Sequence, residues 1–170
     1  MADAGAGPRP LTFSEFVATR SVGLQRFAYL LTGNVEDARD AVQDALLGAF
    51  PRWKQLARRG DPEAYVRRSI VNAHVSWWRS TGRESAWDPS WLEVPAPDGS
   101  AALLDAQLAI RLVTDLPPRQ RAAVVLRFYE DRGYADIGRI CGCSPGAARV
   151  LVHRALATLR DRLPQEDLHD

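Results

Sequence analysis

Lysine is nearly absent from this chain: Lys54 stands alone among 22 Lys and Arg residues. Cysteine is scarce too. Cys141 and Cys143 are too few and too close together to staple a secreted fold. No apolar run approaches the ~20 residues that a membrane span needs, and the opening MADAGAGPRP lacks a signal-peptide core, so no membrane insertion and a cytoplasmic location are expected. There is no P-loop, no Gly-rich dinucleotide fingerprint and no HExxH. His74 and His153 stand apart from any nucleophile with a paired acid, and Cys141, Cys143 and His153 lack a fourth partner for zinc. No catalytic residue, cofactor or metal is therefore expected, and an enzyme is not. No β-alternation of useful length appears either.

The length, 170 residues, suits two small helical domains of roughly 60–75 residues each. Net charge is only +1, but its distribution is uneven. Residues 51–83 hold eight Lys/Arg against two acids, and residues 132–162 hold six against two. Between them, residues 84–131 hold four against eight. Two basic blocks around an acidic middle mark two places where phosphate could sit. That the cations are Arg favours bidentate phosphate or base contacts, although a GC-rich coding sequence gives the same bias.

Residues 1–10 read as a frayed tail. Apolar spacing predicts a helix from Phe13 to Leu31, and Thr32-Gly33-Asn34 stops it. A second helix is expected over Val35–Trp53, with Ala38, Val42, Ala45, Leu46, Ala49, Phe50 and Trp53 as its apolar stripe; Pro51 is an anomaly there that bends or shortens the last turn. Asp61-Pro62 starts another helix, whose apolar residues are Tyr65, Val66, Ile70, Ala73 and Trp77. Residues 83–100 have linker composition. Helical periodicity resumes over Ala101–Leu116, Arg119–Tyr129, Tyr134–Cys141 and Pro145–Leu163. The expected architecture is all-α: two small helical domains, 11–82 and 101–164, joined by a flexible linker, with a short tail at 165–170.

The most specific local signal spans Gly133–Arg162. A short helix is followed by Gly142-Cys143-Ser144-Pro145, where glycine suits the turn, Ser144 can cap and Pro145 fits the first helical position. The next helix buries Ala148, Val152, Ala155 and Leu159 and presents Gly146, Val150, His153 and Arg154, with Arg149 at the flank. This is the pattern of a helix-turn-helix, whose second helix lies in the major groove, although an ordinary αα-hairpin shows the same spacing. A second constellation, AYVRRSIVNAHVSWWR (64–79), interleaves aromatics with arginine and asparagine. Opened single strands need such stacking surfaces and cations, but a core Tyr and Trp beside solvated arginines would read alike.

Taken together, FAYLLTGNVEDARDAVQDALLGAF (27–50), DPEAYVRRSIVNAHVSWWR (61–79), LPPRQRAAVVLRFYED (116–131) and YADIGRICGCSPGAARVLVHRALATLR (134–160) resemble the extracytoplasmic-function RNA polymerase sigma factors of the sigma-70 family. The likeness is closest to a SigE-like group abundant in actinobacteria and covers nearly all of residues 11–162. It implies a first domain that recognises and melts the minus-ten element. Its minus-ten contacts would be Arg58, Arg59, Asp61, Arg67, Arg68, Asn72, Ser76, Trp77 and Arg79. It implies docking on core RNA polymerase through Asp40, Gln43, Asp44 and Leu47. It implies a second domain that reads the minus-thirty-five duplex through Ser144, Ala147, Arg149, Val150, His153 and Arg154. Core polymerase, promoter DNA as duplex and as non-template single strand, and an anti-sigma factor are the partners so implied.

The chain departs from the family pattern at three places. Pro51 replaces a basic residue near the end of the docking helix, Val150 and Leu151 stand where polar residues are common, and Ala147 and Ala148 replace larger ones. Two further functions fit the same residues: a stand-alone helix-turn-helix regulator, and an interaction adaptor whose basic faces meet acidic partners.

Overall fold

The computed structural model describes residues 9–81 and 110–163; the linker at 83–100, Trp87 and Trp91, and most of the helix expected from Ala101 lie outside them. Helix α1 (Phe13–Thr32) opens on a capping box: Thr12 Oγ1 accepts from the Glu15 N–H at 3.2 Å, and the Thr12 N–H donates to Glu15 Oε2 at 2.8 Å. Gly33, at φ 70°, ends α1 in the left-handed conformation that the sequence's turn residues predict. Asn34 then caps α2 (Val35–Ala49), its Oδ1 accepting from Glu36 and Asp37.

The predicted run to Trp53 is interrupted. Pro51 has no N–H to donate and its ring crowds the preceding turn, so the chain leaves α2 at Ala49, makes a 3-10 turn over Phe50–Arg52, and starts a separate α3 (Trp53–Arg59). This break also removes Phe50 from the apolar stripe assigned to it. Its ring is 62% exposed, whereas Trp53 is buried and donates from Nε1 to the Leu11 carbonyl at 3.0 Å.

Asp61 Oδ1 accepts from the Ala64 N–H at 3.0 Å and caps α4 (Pro62–Thr81). The buried face of α4 is Val66, Arg67, Ile70, Val71 and His74. The predicted stripe is rotated: Ala73 is exposed and Tyr65 and Trp77 are half-buried. The cause is tertiary, because the second half of the chain packs on this side of α4.

That half comprises a helical stretch over 110–114, α5 (Pro118–Val124), a π turn (Val125–Tyr129) in place of the regular helix expected there, α6 (Tyr134–Cys141) and α7 (Pro145–Arg162). Among the described residues both halves share one hydrophobic cluster. Phe16, Phe27, Leu31 and Ile70 join Leu126, Ile137, Ile140 and Val152 in it. A smaller cluster of Leu116, Val124 and Ala155 lies beside it.

Candidate nucleic-acid and polymerase interfaces

The α6–α7 pair is built by local chemistry. Gly142 takes φ 70°, Ser144 Oγ accepts from the Ala147 N–H at 3.1 Å, and Pro145 occupies the first turn of α7. Gly138 makes the pair tight: a Cβ there would sit 2.6 Å from the Cys143 carbonyl oxygen, so only glycine admits this approach. Ala148, Val152 and Ala155 are buried on one side of α7. On the other, Arg149, Val150, His153 and Arg154 are exposed, as the wheel predicts, and so are Ser144 and Ala147. Arg149 Nε lies 3.5 Å from His153 Nε2. Cys141 is buried in the core, and burial, with Cys143 next to it, pushes its thiol up to about 12. It therefore stays protonated and unreactive at neutral pH. Among the described residues, no three His, Cys, Asp or Glu side chains come together as a metal site.

On α2, Asp40, Gln43, Asp44 and Leu47 fall at i, i+3, i+4 and i+7 and are all exposed, with Leu47 at 64%. Beside them runs an apolar groove between α1 and α2, lined by Val17, Val42, Leu46, Leu47 and Phe50 among others. Gln43 and Arg39 also line it.

The residues expected to touch opened DNA are split between two environments. Arg58, Arg59, Asn72, Ser76 and Arg79 are exposed, and Trp77 is half-buried. Arg67, expected at the DNA surface, is instead buried at the junction of the two halves. Its Nε and Nη2 grip Glu130 at 2.9 and 3.0 Å, its Nη1 donates to Glu63, and its guanidinium lies 5.6 Å from the Phe27 ring centre. Arg20 and Arg132 approach Glu63 from outside, at 3.6 and 3.4 Å. Asp61 is drawn to Arg139 of α6 at 2.8 Å. Arg68 reaches Gly142, where a Cβ would stand 3.2 Å from its Nη2. Bidentate, desolvated Arg–carboxylate pairs of this kind are geometrically demanding and costly to break on one side only.

Sequence reasoning missed the acceptors. Glu130 is 63 residues from Arg67, and no periodicity links them. It also missed Arg121, which is buried and donates to the Leu31 carbonyl across the junction and to the Leu116 carbonyl at 3.3 Å. Burial pushes Arg121 down to about 10, against the pull of Asp115. Nor was His74 read as a core residue. It is 2% exposed with neither ring nitrogen partnered, and desolvation, with Arg121 nearby, pushes it down to about 3.

An exposed helix-turn-helix face on one half and an exposed strip of α2 on the other describe an all-helical protein with two surfaces open to partners. Residues 17–84 match the family Sigma-70 region 2, and residues 106–159 match Sigma-70, region 4. The chain is 34% identical over 158 residues to the RNA polymerase sigma-E factor of Streptomyces coelicolor, spanning 93% of this chain and 89% of that one. The ECF RNA polymerase sigma factor SigE of Mycolicibacterium smegmatis is 33% identical over 159 residues, with 89% of this chain and 62% of that one covered. Among solved structures, the sigma factor RpoE in complex with the anti-sigma factor NepR from Bartonella quintana superposes with a TM-score of 0.68 at 24% identity, covering 88% of this chain and 94% of that one. The sigma factor SigJ of Mycobacterium tuberculosis gives 0.59 at 32% identity, covering 89% and 54%. The chain belongs to the extracytoplasmic-function sigma factors of the sigma-70 family. It is a transcription-initiation factor that binds core RNA polymerase and promoter DNA, and the stand-alone regulator is not favoured. No helix among the described residues is long and apolar enough to cross a membrane.

Proposed function

We propose that the two halves divide the work of initiation in the cytoplasm. Residues 11–82 dock on polymerase through Asp40, Gln43, Asp44 and Leu47. They hold the minus-ten strand with Arg58, Arg59, Arg68, Asn72, Ser76, Trp77 and Arg79, joined by Asp61 and Arg67 once these are released. Residues 101–164 read the minus-thirty-five duplex with Ser144, Ala147, Arg149, Val150, His153 and Arg154, and residues 83–100 connect the two. The carrying observation is the exposed, Ser144-capped face of α7, where Arg149, His153 and Arg154 stand without a carboxylate among them. Val150 faces the same way and suits a thymine methyl. Extruding a base costs a few kcal/mol, which binding to pockets and aromatics offsets without ATP.

The packed arrangement supports a closed form of the free chain. Arg67 pairs with Glu130 here in place of phosphate, and Asp61 is held by Arg139. Docking on polymerase would separate the halves and expose both. A solved sigma factor of the same fold occurs in complex with an anti-sigma factor. We assign this chain such a partner, directed at the apolar groove between α1 and α2, and a stress or envelope-response regulon.

The test is transcription by core polymerase with and without the chain on a pool of genomic promoter fragments, with 5′ ends mapped. Discrete starts that need the chain and share two spaced upstream elements are expected. Asn72→Ala should impair opening and Arg154→Ala should impair closed-complex binding. Absence of chain-dependent starts, together with no co-elution with core polymerase, sinks the assignment of roles.

A further inference from the structure

The break that Pro51 makes after α2 opens a groove of about 870 Å³ beside Arg58 and Arg59. Its wall is aromatic. Phe50 stands out to solvent, Phe13 meets it edge-on at 4.9 Å, and Trp53 packs on Phe13 at 5.3 Å. Trp53 is anchored by its hydrogen bond to Leu11, so the stack is held from beneath. Around the rim stand Arg52, Lys54, Arg58 and Arg59, all exposed. No described carboxylate pairs with any of the four. Arg20, Arg67, Arg132 and Arg139 each meet a carboxylate and Arg121 meets two carbonyls, whereas these four cations meet no described acid. Unneutralised cations around an upstanding aromatic ring match the chemistry of an unpaired nucleotide: a π-face to stack and a phosphate to neutralise. Duplex DNA keeps its bases inside and offers Phe50 nothing to stack on.

We infer that this groove is a second seat for single-stranded DNA, in which Phe50 stacks an unpaired base and Arg52 and Lys54 neutralise its flanking phosphates. It extends the strand path from Arg58 and Arg59 towards the start of α1. The inference rests on the single-strand reading of the first half. Unlike the Arg67 face, this seat is open in the closed arrangement, so the free chain already offers it.

The experiment is a fluorescence-anisotropy titration of the full chain with a labelled single strand and with its duplex, over a range of salt. Phe50→Ala should weaken single-strand binding about thirtyfold, the middle of what loss of one base–aromatic stack costs, while Phe50→Tyr restores it. The double variant Arg52→Gln/Lys54→Gln should flatten the slope of log affinity against log salt by about 1.4 for two lost phosphate contacts. Val22→Ala, an exposed apolar change away from the groove, should do nothing. The idea is overturned if the free chain does not bind single strands, or if these variants bind like wild type. It is also overturned if duplex binds equally well and Phe50→Ala is neutral, which would mark a plain phosphate site. If Phe50→Ala lowers affinity for core polymerase alone, the groove belongs to polymerase and the inference likewise fails. Transcription by the wild-type chain, run in parallel, keeps these outcomes separate from failure of the sigma roles.

Discussion

Acid should loosen this protein through His74, by an amount the structure lets one work out. The imidazole is buried on α4, stacked on Trp77 at 6.3 Å between ring centres, with the Arg121 guanidinium as its charged neighbour and no partner on either nitrogen. A proton added there would be desolvated and set against a like charge, so the folded-state value falls from 6.5 to about 3. Above pH 6.5 neither folded nor unfolded chain protonates this group, and it contributes no pH dependence. Between pH 6.5 and 3 the unfolded chain binds a proton that the folded chain refuses, so stability drops as pH falls, by about 1.36 kcal/mol per unit. From pH 7.5 to 5.0 the loss attributable to His74 is about 2 kcal/mol. His74→Leu removes the titration and the two unpartnered nitrogens while keeping a buried apolar side chain. Urea unfolding followed by far-UV circular dichroism on both proteins at pH 7.5, 6.5, 5.5 and 5.0 isolates the effect, because every carboxylate titrates in both. The variant's advantage should widen by about 2 kcal/mol towards pH 5.0, within a factor of two or so. Parallel pH profiles would show that the imidazole is not held neutral in the fold, and the account of the junction would be wrong.

Glu130→Gln leaves buried Arg67 with Glu63 alone. Losing one partner of a buried pair costs about 3–5 kcal/mol, and the surviving carboxylate should hold the cost to about 2. The halves should come apart more readily, seen as a larger radius in small-angle scattering; an unchanged radius and stability would deny the junction its ionic lock. Gly138→Ala forces a methyl against the Cys143 carbonyl and should cost about 1–3 kcal/mol, with loss of duplex binding, whereas Gly23→Ala, with open space at its Cβ, should gain about 0.5–1 kcal/mol. Thermal melts decide both. Ser144→Ala removes the cap of α7 and should cost about 1 kcal/mol, read from the same melts.

Much of the helix plan was legible because it is written in short-range chemistry. Asp61 and Ser144, read as caps from the sequence, cap within three residues of themselves, and Gly33 and Gly142 turn where a Cβ would be strained; Thr12 and Asn34 cap by the same short-range rule but were not singled out. The exposed face of α7 at Val150, His153 and Arg154 follows from a period of 3.6, whereas the strip Asp40, Gln43, Asp44 and Leu47 was singled out by the family resemblance; all of these residues are exposed. Pro51 announced a break, but not that a separate helix, Trp53–Arg59, follows it or that Phe50 turns outward, since both depend on Trp53 seating against Leu11 and α1.

What only the tertiary structure decided lies at the junction. Periodicity says that α4 has a buried side but leaves its phase open by a residue; the second half of the chain chose His74 over Ala73. Arg67 looked like a DNA contact because an arginine on a helix carries no mark of its acceptor. The carboxylates that claim it belong to Glu63, one turn away, and to Glu130, on the other half of the molecule. Caps, turns and helical period are set by neighbours along the chain, so the sequence by itself determined them. Ion pairing and burial between residues 63 apart are set by how preformed helices pack, and that free energy belongs to no single segment.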